Sequence, residues 1–281
     1  MSGTTDTSSD TTGATVAGDG HGPVAVELDS SVATVRFDRP DAMNSLTTET
    51  KVALRDAVQG IADDPAVRCL VLTGSGRAFC VGQDLKEHVQ LLEEGAESLF
   101  RTVPEHYNPT VHAVATMPKP VVAAINGVAA GAGASLAFAC DYRLMADTAS
   151  FNLAFAGIAL SCDTGISWTL PRLVGHARAI ELLYEPRTIR ADEALELGLV
   201  TRVVPADELA AATEELARRL ASGPTQAYGA MRRAVAFSAT HDLESSLAHE
   251  AELMTSTGGT EDHRNAVASF LAKERPRFEG R

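Results

Sequence analysis

NGVAAGAGASLAFACDYRL, residues 126–144, follows a strand-like apolar run, Val121 to Ile125, and passes into a helix-like run, Ser135 to Cys140. It holds no His, Lys or Glu, and its one carboxylate, Asp141, lies beyond the glycines. A glycine turn at a helix start exposes unpaired backbone N–H groups at the positive end of the helix dipole. Gly131-Ala132-Gly133 can therefore hold a phosphate, or an oxygen that turns negative during a reaction. It can equally be a tight structural turn. The dinucleotide fingerprint G-x-G-x-x-G does not fit, because Leu136 stands where its third glycine belongs.

Working outward, GRAFCVGQDLKE (76–87) also places a glycine after a buried strand, RCLVLTG at 68–74. Gly82-Gln83-Asp84 can turn another N–H toward the same point, so that two loops of one sheet form a two-donor oxyanion hole. A third stretch, FAGIALSCDTGISW (155–168), carries Asp163 between an apolar run and a helix starting near Gly165. That position suits a helix N-cap. It also suits a poised base, since an apolar wall raises a carboxyl pKa. No G-x-S-x-G element indicates a serine hydrolase and no H-x-x-x-H spacing or acidic cluster indicates a metal site.

The surrounding pattern predicts an α/β fold. VAVEL (24–28) and VATVRF (32–37) alternate as a hairpin, a helix is expected over about 47–62, and 86–117 reads as mixed helix and loop. Strands are expected at 120–125 and 142–146 with a helix at about 132–140 between them, which implies crossover connections. From 206 onward only helical periodicity is found. The expected division is a disordered Thr/Ser/Gly/Asp-rich tail (1–22), an α/β core (23–205) and a helical C-terminal region (206–281).

Composition limits the function classes. Across 281 residues, 37 acidic against 24 basic side chains leave a net charge of −13, which argues against a broad nucleic-acid-binding face. No apolar run is long enough to span a bilayer, and the first residues lack the pattern of a secretory signal. Cys69, Cys80, Cys140 and Cys162 are scattered without C-x-x-C spacing, as buried thiols of a cytoplasmic protein would be.

In order and spacing, FDRPDAMNSL, GRAFCVGQDLKE, KPVVAAINGVAAGAGASLAFACDYRLMA, LPRLVG, ADEALELGLVTRVV and FLAKERPRF resemble the enoyl-CoA hydratase/isomerase (crotonase) superfamily. The resemblance implies a ClpP/crotonase-like fold of repeated ββα units with a C-terminal helical region that assembles a homotrimer or hexamer. It implies an acyl-CoA substrate, with coenzyme A part of that substrate, no separate cofactor and no metal. It assigns the oxyanion donors to the N–H groups of Gln83 and Ala132, with Gly82, Gly131 and Gly133 supporting them. Arg77, Ala78, Phe79, Asp84, Lys86 and Lys273 become the neighbours of the CoA moiety.

The departures from the family decide the expected reaction. Ser135 and Phe155 stand where family hydratases carry their two glutamates, whereas Asp163 matches the aspartate of several superfamily isomerases. One carboxylate can take a proton from one carbon and return it to another. The expectation is therefore an acyl-CoA isomerase that moves a double bond or opens a ring epoxide, with the ring-epoxide isomerase type the nearest likeness. The alternatives are a hydratase of low or unusual activity and a non-catalytic binding protein. Dehalogenation ranks lower, because Phe155 and Asn108 replace the tryptophan and histidine which that chemistry pairs with the aspartate.

Overall fold

The computed structural model describes residues 22–96 and 98–281; the tail expected at 1–22 lies, apart from Gly22, outside them. Among the described residues, ten strands form two sheets. The larger contains β1 (Val24–Asp29), β2 (Val32–Phe37), β3 (Cys69–Gly74), β5 (Val121–Ile125), β7 (Tyr142–Ala146) and β10 (Arg202–Val204) in that spatial order. The smaller contains β4 (Ala78–Cys80), β6 (Val128–Ala130), β8 (Ser150–Asn152) and β9 (Thr188–Arg190). Strands β3, β5 and β7 each lie in the large sheet, and the strand after each crosses to the small one. Helices α2 (Leu85–Glu93), α4 (Ala132–Phe138) and α5 (Ile166–Val174) follow β4, β6 and β8. The repeated ββα unit is thus visible in the pairing. Pairing is antiparallel for the β1–β2 hairpin and for β8–β9 and parallel elsewhere.

The local causes are readable. CLVLTG and VVAAI are near-continuous apolar runs because parallel strands are covered on both faces. Helix α1 (Thr48–Asp63) starts at Thr47, whose side chain accepts the Thr50 N–H. Its buried face includes Lys51, Leu54, Val58 and Ile61.

The sharp β3–β4 turn is held by two asparagines. Buried Asn44 donates its amide to the Ser75, Ala78 and Phe79 carbonyls. Asn126 accepts the Gly74 N–H and donates to the Gly76 and Ala78 carbonyls. Each side-chain amide replaces ladder bonds that a three-residue strand cannot make alone.

Five short strands are not anticipated by the sequence: β4 and β6 read as loop and glycine turn, and β8, β9 and β10 lie in unassigned stretches. Each has three residues, too few for a period to register, and each is held by its neighbours. Between β4 and β5 lie α2, a single π-helical turn (Val103–Tyr107) and α3 (Asn108–Thr116). Helices α6 (His176–Tyr184) and α7 (Ala191–Glu196) precede β10.

The chain after Pro205 is helical: α8 (Leu209–Ala221), α9 (Thr225–Ser238), α10 (Leu243–Gly258) and α11 (Glu261–Ala272). Helix α8 belongs to the core rather than to an appendage, since Leu209, Leu216, Ala217 and Leu220 are buried in it. Arg232 ties α9 to the core, bonding Asp141 at 2.8 Å and the Val114 and Lys119 carbonyls at 2.9 and 3.0 Å. By contrast, α10 and α11 keep Leu243, Met254, Phe270 and Leu271 more than 70% exposed.

Among the described glycines the tightest is Gly133 in α4, where an added Cβ would stand 2.0 Å from the Cys80 carbonyl oxygen of β4. Backbone cannot yield there as a flexible side chain can. Gly133→Ala is expected to destabilise by roughly 3 kcal/mol or more, or to prevent folding. Gly60→Ala in α1, where a Cβ meets nothing within 4 Å, should stabilise by about 0.5–1 kcal/mol. Urea unfolding of both variants checks the pair, and equal effects would refute the packing account.

Candidate active site

The parallel strands β4, β6 and β8 end side by side, so the segments leaving their carboxyl ends converge. Ligand sites in α/β sheets favour that edge. Gln83 comes three residues after β4, Ala132 two after β6, and Phe155 three after β8. Together with Gly131 and Asp163 they line one cavity of about 590 Å³. The first two segments touch: a Cβ on Gly82, which has φ +82°, would stand 2.9 Å from the Ala130 oxygen and 3.2 Å from the Ala132 nitrogen. Glycine is needed at position 82 on both counts.

The two proposed donors are available for a ligand. Leu46 bridges the loop through the Gly82 carbonyl and the Asp84 N–H, which leaves the Gln83 N–H outside the ladder. Ala132 is the first residue of α4, and its N–H has no partner within the helix. Among the described residues, neither N–H finds a protein acceptor.

Three carboxylates line the cavity. Asp41 is exposed at its edge. Asp84 is committed to structure: it caps α2 through the Lys86 and Glu87 N–H groups and accepts the Ser45 hydroxyl at 2.8 Å and Arg39 at 3.1 Å. Burial alone would raise its pKa, but those hydrogen bonds together hold it below the usual carboxylate value.

Asp163 differs. Half-buried, it accepts only the Thr164 hydroxyl, at 2.9 Å, among the described residues. It is not a cap: α5 starts behind Gly165, with no side-chain capping bond. Burial raises its pKa above the ordinary value, opposed by the Thr164 hydrogen bond and then by the Lys51 charge.

The two positions at which the resemblance expects glutamates hold Ser135 and Phe155. Ser135 is fully buried outside the cavity lining, its hydroxyl donating to the Gly131 carbonyl at 3.0 Å. Phe155 lines the cavity and is 8% exposed, an apolar wall where a carboxylate would stand.

Of the residues expected near CoA, Asp84 and Lys86 line the cavity, whereas Arg77, Ala78, Phe79 and Lys273 do not. Ala78 and Phe79 are core residues at 0% exposure, and the Phe79 ring stands edge-on to Phe37, centroids 5.4 Å apart. Their side chains are closed to a ligand in this chain. Arg77 and Lys273 are exposed, Lys273 at the end of α11.

A polar cluster beside Gln83 escaped the sequence reading. The Tyr107 hydroxyl donates to Gln83 Oε1 at 2.7 Å, and Lys51 Nζ donates to the same oxygen at 3.1 Å. Burial, and then the Asp163 charge, push the Tyr107 phenol well above its ordinary pKa, so it stays a neutral donor. A signal for Lys51 existed: it shares the apolar spacing of Leu54, Val58 and Ile61 on α1. Tyr107, in a π turn between two prolines, offered none. Among the described residues, no group of three or more His, Cys, Asp or Glu side chains is placed to hold a metal ion.

Residues 27–281 match the Enoyl-CoA hydratase/isomerase family. The chain belongs to that family. It is similar to the 1,2-epoxyphenylacetyl-CoA isomerase of Escherichia coli, at 38% identity over 90% of this chain and 97% of the relative. It is also similar to 4-chlorobenzoyl coenzyme A dehalogenase-2 of an Arthrobacter species, at 35% identity over 89% and 91%. A solved enoyl-CoA hydratase from Bacillus anthracis superposes with a TM-score of 0.86 at 33% identity, covering 92% of this chain and all of the other. The crotonase-superfamily fold is thereby established, while the three relatives carry names of three chemistries, so side chains must choose among them.

The raised pKa of Asp163 has a consequence for stability. Its folded form binds a proton more tightly than its unfolded form, so its contribution favours the fold at acid pH and is lost as pH rises through the folded-state pKa. Asp163→Asn, which carries no charge, should therefore gain Tm over the parent as pH is raised from about 4 to 7. A gap that stays constant or narrows in thermal scans across that range would contradict the burial account.

Proposed function

We propose that this family member is an acyl-CoA thioester isomerase. In this reading the N–H groups of Gln83 and Ala132 bind the thioester oxygen, and Asp163 is the single acid/base. The observation that carries it is the cavity's electrostatics: of its three carboxylates only Asp163 is both sheltered and uncommitted. For a 3-enoyl thioester, Asp163 takes a proton from C2. The C–H electrons move onto the thioester oxygen as a dienolate, held by the two amides. Asp163 then returns the proton to C4, giving the conjugated 2-enoyl thioester. The amides act by binding the anion more tightly than the neutral carbonyl. A raised carboxyl pKa suits the task, because the same group must both accept and give up the proton.

Ring-epoxide opening through the same enolate is the other isomerisation this reading admits, and the likeness to the epoxyphenylacetyl-CoA isomerase supports it. The apolar wall of Leu99, Phe100, Val103 and Phe155 suits the acyl end. Hydration is disfavoured because water addition needs a group to activate water and a second to protonate C2, and both glutamate positions are filled otherwise. Assembly as a homotrimer or hexamer is supported by the exposed apolar side chains of α10 and α11.

The test is a product assay with 3-enoyl, 2-enoyl and aryl-epoxide CoA esters. Double-bond migration or ring expansion is expected, and it should fall about 10²–10⁴-fold in Asp163→Asn with ester binding nearly unchanged. Rapid formation of a 3-hydroxy product, or full turnover by that variant, would end the isomerase reading.

A further inference from the structure

Lys51 is an expensive residue to place where it stands. Its side chain is 2% exposed, on the apolar face of α1, and an unpaired ammonium there would cost several kcal/mol. Its pairing is incomplete: the nearest carboxylate, Glu87, is 3.8 Å away, longer than a hydrogen bond. Glu87 is itself bonded to the Thr48 N–H through both oxygens at 3.0 Å. Among the described residues the one close partner of the ammonium is a neutral amide oxygen, Gln83 Oε1 at 3.1 Å. The Tyr107 hydroxyl reaches that oxygen at 2.7 Å, and Lys51 Nζ lies 5.6 Å from the Tyr107 ring centroid. Two donors on two elements, α1 and the π turn, thus grip the side chain of the residue whose main-chain N–H is the proposed oxyanion donor. Single π turns of this kind recur at functional sites.

We propose that Lys51 is a positioning residue of the active site: with Tyr107 it clamps the Gln83 side chain, and it sets a buried positive charge behind the oxyanion loop that favours negative charge in the cavity. The inference rests on the isomerase reading above, in which that charge resides on Asp163 before proton transfer and on the enolate after it. A fixed cation in a site of low dielectric favours both anions alike, so its charge sets the protonation of Asp163, while the clamp on Gln83, by holding the proposed donor, acts on the rate.

The other titratable groups near Lys51 or sharing the cavity with Asp163 are Glu87, Asp84, Lys86 and His88 from α2 and its cap, Arg39 and Asp41 ahead of α1, Tyr107 and His106 from the π turn, and Arg55 one turn along α1. Burial, and then Lys51 and Arg55, hold His106 below its ordinary pKa, so this imidazole does not supply a competing cation at neutral pH. Burial also lowers the Lys51 pKa, while Glu87, Asp163 and Asp84 pull it back toward the charged form. Helix α4 adds no titratable group. Lys51 is the sole cation whose charge bears on Asp163 among these described neighbours.

The experiment compares Lys51→Met, Lys51→Arg, Gln83→Leu and the double variant Lys51→Met/Gln83→Leu on the substrate found active in the product assay. Lys51→Met keeps the apolar stem and removes the ammonium. It should lower kcat roughly 10- to 100-fold, the scale of one charge-assisted hydrogen bond, with KM changed less than about threefold. The acid limb of its kcat/KM profile should move to higher pH, because Asp163 loses the charge that favours its anion. Lys51→Arg should recover most of kcat and return the limb toward its original position. Gln83→Leu keeps the backbone N–H but removes the gripped oxygen. It should lower kcat without shifting the limb, and the double variant should lose less than the product of the two single losses.

An unmoved acid limb in folded Lys51→Met, or fully multiplicative losses in the cycle, overturns the inference. Should Lys51→Met fail to fold, the limb is read in Glu87→Gln, which removes the anion competing for Lys51. A shift to lower pH supports the proposal, and an unchanged or raised limb refutes it. Asp163→Asn separates the two ideas: if it stays active the isomerase reading falls, whereas loss of activity there beside an unaffected Lys51→Met removes only the role of Lys51.

Discussion

The site depends on how closely two backbones can lie. Strand β4 and helix α4 meet at Gly133, where a Cβ would come within 2.0 Å of the Cys80 carbonyl oxygen. That approach seats β4 against β6 in parallel and brings the Gly82 turn onto the Ala130–Ala132 peptides. Two residues from different ββα units, each with a main-chain N–H that finds no protein acceptor among the described residues, then line one cavity. Main-chain donors are fixed by the sheet rather than by rotamer choice, so a small shift of β4 against β6 would misaim both. The buried asparagines at 44 and 126 serve the same geometry, since they hold the turn that feeds β4.

Around that frame the side chains separate carboxylates by environment. Asp84 and Asp163 line the same cavity, yet their pKa values are displaced in opposite directions. Asp84 sits at the N-terminus of α2 with four donors, so its charge is stabilised and structural. Asp163 sits in a loop with one hydroxyl donor and an apolar surround, so its proton is easier to hold. Pairs of titratable groups pushed apart in this way divide labour between support and chemistry.

Much of this was legible in the sequence where a pattern runs long enough. The apolar runs of β3 and β5, the amphipathic α1 and the glycines flanking Ala132 all announce themselves. The strands β4, β6 and β8 do not, because three residues carry no period and owe their conformation to partners distant in sequence. The local pattern at Asp163 admitted a cap or a base, and only the position of α5 behind Gly165 removes the first. Ala78 and Phe79 were expected as ligand neighbours from the family resemblance, and in β4 both side chains are buried in the core. Lys51 is the instructive omission: a cation on an apolar stripe breaks the helix pattern, and such a break is a place to look for function.

The relatives show that one frame accommodates different reactions, and the physical distinction lies in how many groups can exchange protons at the enolate. Water addition joins two new atoms to the substrate and needs partners on both. An isomerisation returns the proton it takes, so one carboxyl is enough provided no second base intercepts the intermediate. Here Ser135 is turned away to the Gly131 carbonyl and Phe155 presents an apolar face. Both substitutions remove acid/base capacity, and Phe155 also leaves an attacking water without a hydrogen-bonding partner at that wall. In the isomerase reading proposed above, the enolate's nearest proton source is the carboxyl that created it, and the proton returns to a different carbon.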